Sequence, residues 1–122
     1  MEVQKTFYRK LIRDYVPKKM ESLGVAFEVR TLDVEEFRTE LLKKVEEEAS
    51  GVPQATTREE LIGELADTLD VIEEIQRLEH IQTEEILEAQ QKNAEKKGGF
   101  LERIFLEWSA DNGYKTNEKK NG

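Results

Sequence analysis

The stretch from Thr57 to Glu79 constrains this chain more than any other part of it. Apolar side chains at Leu61, Leu65, Leu69, Ile72 and Ile75 recur at helical spacing, the pattern of a helix that buries one stripe. Thr57, with Glu60 three residues later, is a capping-box start. Inside this helix stands Glu64-Leu65-Ala66-Asp67. Residues three apart are neighbours on one helix face, so Glu64 and Asp67 hold two carboxylates side by side along an apolar seam. Carboxylates there repel each other and lose solvation unless something positive sits between them. A hard divalent cation meets that need.

The rest of the pattern predicts about four helices with little else. Asp14 precedes a short segment with Pro17 in its first turn, closed by Gly24 as a C′ residue. Val25, Phe27 and Val29 alternate with Ala26, Glu28 and Arg30, so Val25–Leu32 reads as a short strand. Asp33 with Glu36 starts a second helix carrying Phe37, Leu41, Leu42, Val45 and Ala49, which stops at Gly51 before Pro53. Val52–Thr56 reads as a loop. Thr83, followed by Glu84 and Glu85, caps a last helix that runs to the Lys96-Lys97-Gly98-Gly99 break. Phe100–Trp108 is apolar enough for a strand or a docking segment, with Trp108 expected at the domain edge. Residues 1–110 are thus expected as one domain, and 111–122 as a polar, flexible tail.

Composition narrows the partners. The 122 residues suffice for one compact domain, and the formal net charge is −8. A protein that grips a nucleic acid polymer normally presents a basic surface to phosphates, so no nucleic acid polymer is expected as a partner. The absence of cysteine removes disulfides, thiolate metal sites and a cysteine nucleophile. No apolar run is long enough for a bilayer and Met1–Lys10 is polar and basic, so the expectation is a soluble, cytoplasmic protein with no membrane partner. Hydrophobic residues make up only 37% against 38% charged, which favours burying further apolar surface against a second copy.

Two constellations could carry chemistry. The acidic one joins Glu64 and Asp67 to Glu46, Glu47 and Glu48 on the preceding helix, where Glu47 and Glu48 flank the apolar stripe and Glu46 falls further round. Two antiparallel helices joined by a short loop would aim both sets into one space. Oxygen-only ligands suit Mg²⁺ or Mn²⁺ rather than zinc, although a charge run is ordinarily a solvated face. The basic constellation is Tyr8-Arg9-Lys10-Leu11-Ile12-Arg13 and Lys96-Lys97-Gly98-Gly99-Phe100-Leu101-Glu102-Arg103. Such clusters would suit a polyphosphate. The plainer expectation from spacing alone is that Arg13 pairs with an acid and the glycines end a helix. His80 reads as a surface or capping residue at a helix end, and no Gly-x-x-x-x-Gly-Lys-Ser/Thr or Gly-x-Gly-x-x-Gly occurs.

Together these residues resemble a family, the all-α MazG-type nucleoside triphosphate pyrophosphohydrolases, in particular a small single-domain, phosphoribosyl-ATP pyrophosphohydrolase-like subgroup. The resemblance rests on Lys10-Leu11-Ile12-Arg13-Asp14-Tyr15-Val16-Pro17, on Lys43-Lys44-Val45-Glu46-Glu47-Glu48-Ala49, on Glu64-Leu65-Ala66-Asp67, and on Lys97-Gly98-Gly99-Phe100 with Arg103-Ile104-Phe105-Leu106-Glu107, in that order. It spans roughly Phe7 to Trp108. What it implies is a mainly α fold, an antiparallel helical bundle with a small β element, completed by dimerisation as a dimer or dimer of dimers. It further implies Mg²⁺-dependent hydrolysis of an NTP or dNTP to the monophosphate and pyrophosphate, a house-cleaning activity. Carried over, Glu48, Glu64 and Asp67 would bind metal, and Glu47 would be a further ligand or would orient the attacking water. Lys10, Arg13, Lys97 and Arg103 would contact phosphate. Two positions depart from the pattern: Tyr15 replaces a lysine, and Gly51 stands where the family's second Glu-x-x-Glu acid belongs. Asp70, one turn beyond Asp67, is a further candidate ligand. The alternative implied by Gly51 is a catalytically weakened nucleotide-binding or protein-interaction module of the same fold.

Overall fold

The computed structural model describes residues 2–111, and the expected tail lies outside the described residues beyond Asp111. Among these residues the chain is helical and contains no strand: α1 (Val16–Ser22), α2 (Val34–Gly51), α3 (Arg58–Glu79) and α4 (Thr83–Lys97), with a 3₁₀ turn at Val52–Gln54. No helix among them is long and apolar enough to cross a membrane. By internal contacts the chain divides into Met1–Glu85 and Ile86–Gly122, a division that falls inside α4.

Local signals account for most helix ends. The Glu36 N–H donates to Asp33 Oδ1 at 2.8 Å, and the Glu60 N–H to Thr57 Oγ1 at 3.1 Å, so α2 and α3 begin at the residues whose side chains satisfy orphan amides. Glu60 reaches back to Thr56 rather than Thr57, accepting from its N–H at 2.9 Å and its hydroxyl at 2.8 Å. These bonds hold Glu60 below the ordinary carboxylate range. α3 ends where His80 takes a left-handed conformation (φ 57°), and α1 where Gly24 does (φ 70°). Gly98 (φ 77°) follows α4 in the same way, its N–H donating to Ala94 O at 2.9 Å. Thr83 is the first helical residue rather than the cap; the amide of Gln82 before it donates to Glu85 Oε2 at 2.8 Å.

The core of the first unit is the seam between α2 and α3, which pack together. They run antiparallel: Arg38 near the start of α2 pairs with Glu79 at the end of α3, while Glu48 near the end of α2 meets Glu64 near the start of α3. Leu41 (5% exposed) and Val71 (9%) are the buried hydrophobics, flanked by half-buried Phe37, Val45, Ile75 and Leu78. The face of α3 turned to α2 is therefore Thr68, Val71, Ile75 and Leu78, and not the whole stripe expected from sequence. Leu61, Leu65 and Leu69 remain 40%, 46% and 56% exposed. The reason is angular. Steps of four residues advance about 40° beyond a full turn, so this leucine row drifts onto a second, adjacent face of α3. Leu42 and Ala49 on α2 are likewise exposed.

Two further expectations are corrected. Val25–Leu32 has the alternation of a strand but no ladder, because a strand requires a second one and the described residues supply none. Phe100–Trp108 is also no strand; one turn closes from the Arg103 N–H to Phe100 O at 3.1 Å, and Trp108 is exposed rather than packed.

Candidate metal centre

Glu48 lies seven residues after Leu41 on α2, and Glu64 seven before Val71 on α3, so each continues the packed face of its helix by two turns. The acids thus occupy core-facing positions at the end of the seam where the chain turns from α2 into α3. Asp67, one turn after Glu64, completes the group. One carboxylate oxygen from each of Glu48, Glu64 and Asp67 lies within 4.8 Å of the others, and all three residues are half-buried. Glu46 points away into solvent.

Around the triad the positive charge is supplied by the chain itself. Lys44 Nζ donates to Leu11 O at 3.0 Å, lies 2.7 Å from Glu47 Oε2 and 3.5 Å from Glu48 Oε1, and its side chain is only 16% exposed. Lys10 Nζ takes the other Glu47 oxygen at 3.0 Å. The hydrogen bond from Lys44, and then that from Lys10, hold Glu47 below the ordinary carboxylate range. Arg13 Nη2 bridges Asp70 Oδ2 at 2.8 Å and Asp67 Oδ1 at 3.0 Å. Its pKa is raised chiefly by the hydrogen bond to Asp70, which desolvation opposes, with the charges of Asp70, Asp67 and Glu48 adding to the rise. Glu64 forms no ion pair among the described residues.

The three acids singled out as ligands therefore come together, and the others divide. Glu47 faces Lys10 and Lys44 outside the triad, and Asp70 faces Arg13. The plainer expectation for Arg13 describes its position: it pairs with acids, as Lys10 does. Lys97 ends α4, and Arg103 (φ 55°) follows it in the second unit. Lys44 was missed by sequence reasoning, although its spacing of three and four residues from Glu47 and Glu48 announces both pairs.

The triad suits a hard cation. Mg²⁺ binds oxygen at about 2.0–2.1 Å in an octahedron, which separates adjacent ligand oxygens by roughly 3 Å and opposite ones by roughly 4.2 Å. The present spacing, within 4.8 Å, is of the same order as that range. Three carboxylates with no nitrogen or sulfur donor fit Mg²⁺ or Mn²⁺, with water filling the remaining positions. No family model, no curated protein and no solved structure matches the chain.

Proposed function

We propose that the chain is a metal-dependent nucleoside triphosphate pyrophosphohydrolase of the MazG-like kind, converting an NTP or dNTP to the monophosphate and pyrophosphate. The observation that carries this reading is the convergence of Glu48, Glu64 and Asp67 from two separate motifs on two helices. They are the residues that the resemblance assigns to the metal. A bound Mg²⁺ or Mn²⁺ would offset charge on the phosphate oxygens. Water would add to the α-phosphorus, the α–β anhydride bond would break with its electron pair leaving on pyrophosphate, and the water's proton would pass to solvent or to the departing pyrophosphate. Glu47, kept ionised by Lys44 and Lys10, suits orienting that water better than storing its proton, because a depressed carboxylate is a weak proton acceptor. Lys97 and Arg103 enter as phosphate contacts through the resemblance alone.

The test is direct. Purified protein with Mg²⁺ or Mn²⁺ and a panel of NTPs and dNTPs is expected to release pyrophosphate and monophosphate in equal amounts. Release from none of them, with either metal, removes the enzymatic reading. The second reading, a binding module without turnover, is favoured by Gly51, which leaves the donor set one carboxylate short. It predicts metal and nucleotide binding without product.

The same reading includes a homodimer. The row Leu61, Leu65 and Leu69, with Ile62 beside it, is exposed along α3. A helix with two apolar faces needs two neighbours, and a second α3 would cover this row face to face. Light scattering of the purified protein is expected to give twice the chain mass, and Leu65→Glu to give a single chain mass. A wild-type monomer removes the dimer from the proposal.

A further inference from the structure

Gly51 is the last residue of α2, and its backbone has no need of glycine. Its φ of −74° and ψ of −24° are right-handed helical, and Val52 continues in the same region. Any L residue adopts that conformation, and alanine there favours the helix more than glycine does. The glycine is thus no left-handed helix stop of the kind seen at Gly24 and Gly98. What it supplies is space. A Cβ at position 51 would press on Glu64 Oε2, 2.8 Å from Glu64 Cδ and 3.2 Å from Oε1. At Gly24, Gly63, Gly98 and Gly99 an added Cβ would meet nothing within 4 Å. The obstructing group is the far end of a flexible side chain, whereas the Glu64 backbone is held within α3, with the Thr68 hydroxyl on its carbonyl at 2.9 Å. A methyl at position 51 would leave the fold standing and would move the carboxylate.

We infer that Gly51 is a positioning residue for the metal centre: the missing side chain at the end of α2 seats the Glu64 carboxylate beside Glu48 and Asp67. The inference rests on the metal-centre reading above. It also gives the departure from the family pattern a second meaning, since the volume where an acid side chain would begin is occupied by Glu64 itself.

Mn²⁺ titration of the full chain, followed by the loss of the free-ion electron paramagnetic resonance signal, tests it without any need for turnover. Gly51→Ala is expected to weaken Mn²⁺ binding about 10–100-fold, the range typical when a residue that orients metal ligands is changed. Its metal-free melting temperature should stay equal to wild type or rise. Shortening the displaced side chain gives the second readout. Glu64→Asp weakens binding when residue 51 is glycine, but improves it in the Gly51→Ala background, because the carboxylate then retracts from the methyl. Wild-type protein that takes up no Mn²⁺ overturns the metal-centre reading and the inference with it. Wild-type protein that binds while Gly51→Ala binds equally well overturns the inference alone. So does a metal-free melting temperature that falls in Gly51→Ala, or a Glu64→Asp effect of the same sign in both backgrounds.

Discussion

Glu64→Gln is expected to abolish the stabilisation that Mg²⁺ would give this protein under the proposed metal-centre reading, and to raise its melting temperature in the absence of metal. Both effects come from one arrangement. Three carboxylate oxygens within 4.8 Å of one another cost free energy while no cation sits between them, and Glu64 is the member with no ion-pair partner among the described residues. Neutralising it removes two of the three repulsions in the free protein. A cation that binds only the folded state stabilises by about 2.7 kcal/mol at a hundred times its dissociation constant. For a small domain, that corresponds to a rise of roughly 10–20 °C. The variant lacks the increment because the remaining pair, Glu48 and Asp67, already faces Lys44 and Arg13. Calorimetry of both proteins with and without Mg²⁺ reads both signs. An equal rise in both places the ion elsewhere, and no rise in either makes the acids a purely structural feature of the α2–α3 pair.

Leu41→Ala is the second large effect. Leu41 and Val71 are the two buried hydrophobic residues among those described, so the seam has little reserve. Truncating a buried leucine costs about 2–5 kcal/mol through lost transfer energy and the cavity left behind. Against a total stability of about 5–15 kcal/mol, that brings this domain close to unfolding. Leu42, the neighbour on the outer side of α2, is 44% exposed, and its alanine variant should stay within about 0.5 kcal/mol of wild type as a surface change. Urea denaturation of the two variants compares them directly. Equal losses would mean that the seam is not where the stability lies. Because Glu48 stands on the α2 side of that seam and Glu64 and Asp67 on the α3 side, opening it also takes the triad apart.

Features decided within a few residues of themselves were legible in the sequence. Asp33 and Thr57 cap α2 and α3, and Gly24 and Gly98 turn left-handed after α1 and α4, as their spacing predicted, but the return half of each capping box is absent, with Glu36 on Arg30 and Glu60 on Thr56. The i, i+3 relation of Glu64 to Asp67 is of the same kind. Features that need a partner were not legible. The leucine row at 61, 65 and 69 has the spacing of a buried stripe, but α3 carries two apolar faces and only packing selects between them. The alternation at Val25–Leu32 is genuine, yet a strand exists only with a neighbour to bond. Position 51 shows both halves: its lack of a side chain is legible in the sequence, while the carboxylate that fills the space belongs to a residue thirteen positions further on.

By itself, then, the sequence determined where helices begin and end and which acids share a helix face, because caps and periodicity are local. The tertiary structure decided that Glu48 meets Glu64 and Asp67, that Arg13 answers Asp67 and Asp70, and that Gly51 makes room for Glu64. Those meetings depend on how two helices rotate and slide against each other, and that is set by burying Leu41 and Val71 between them.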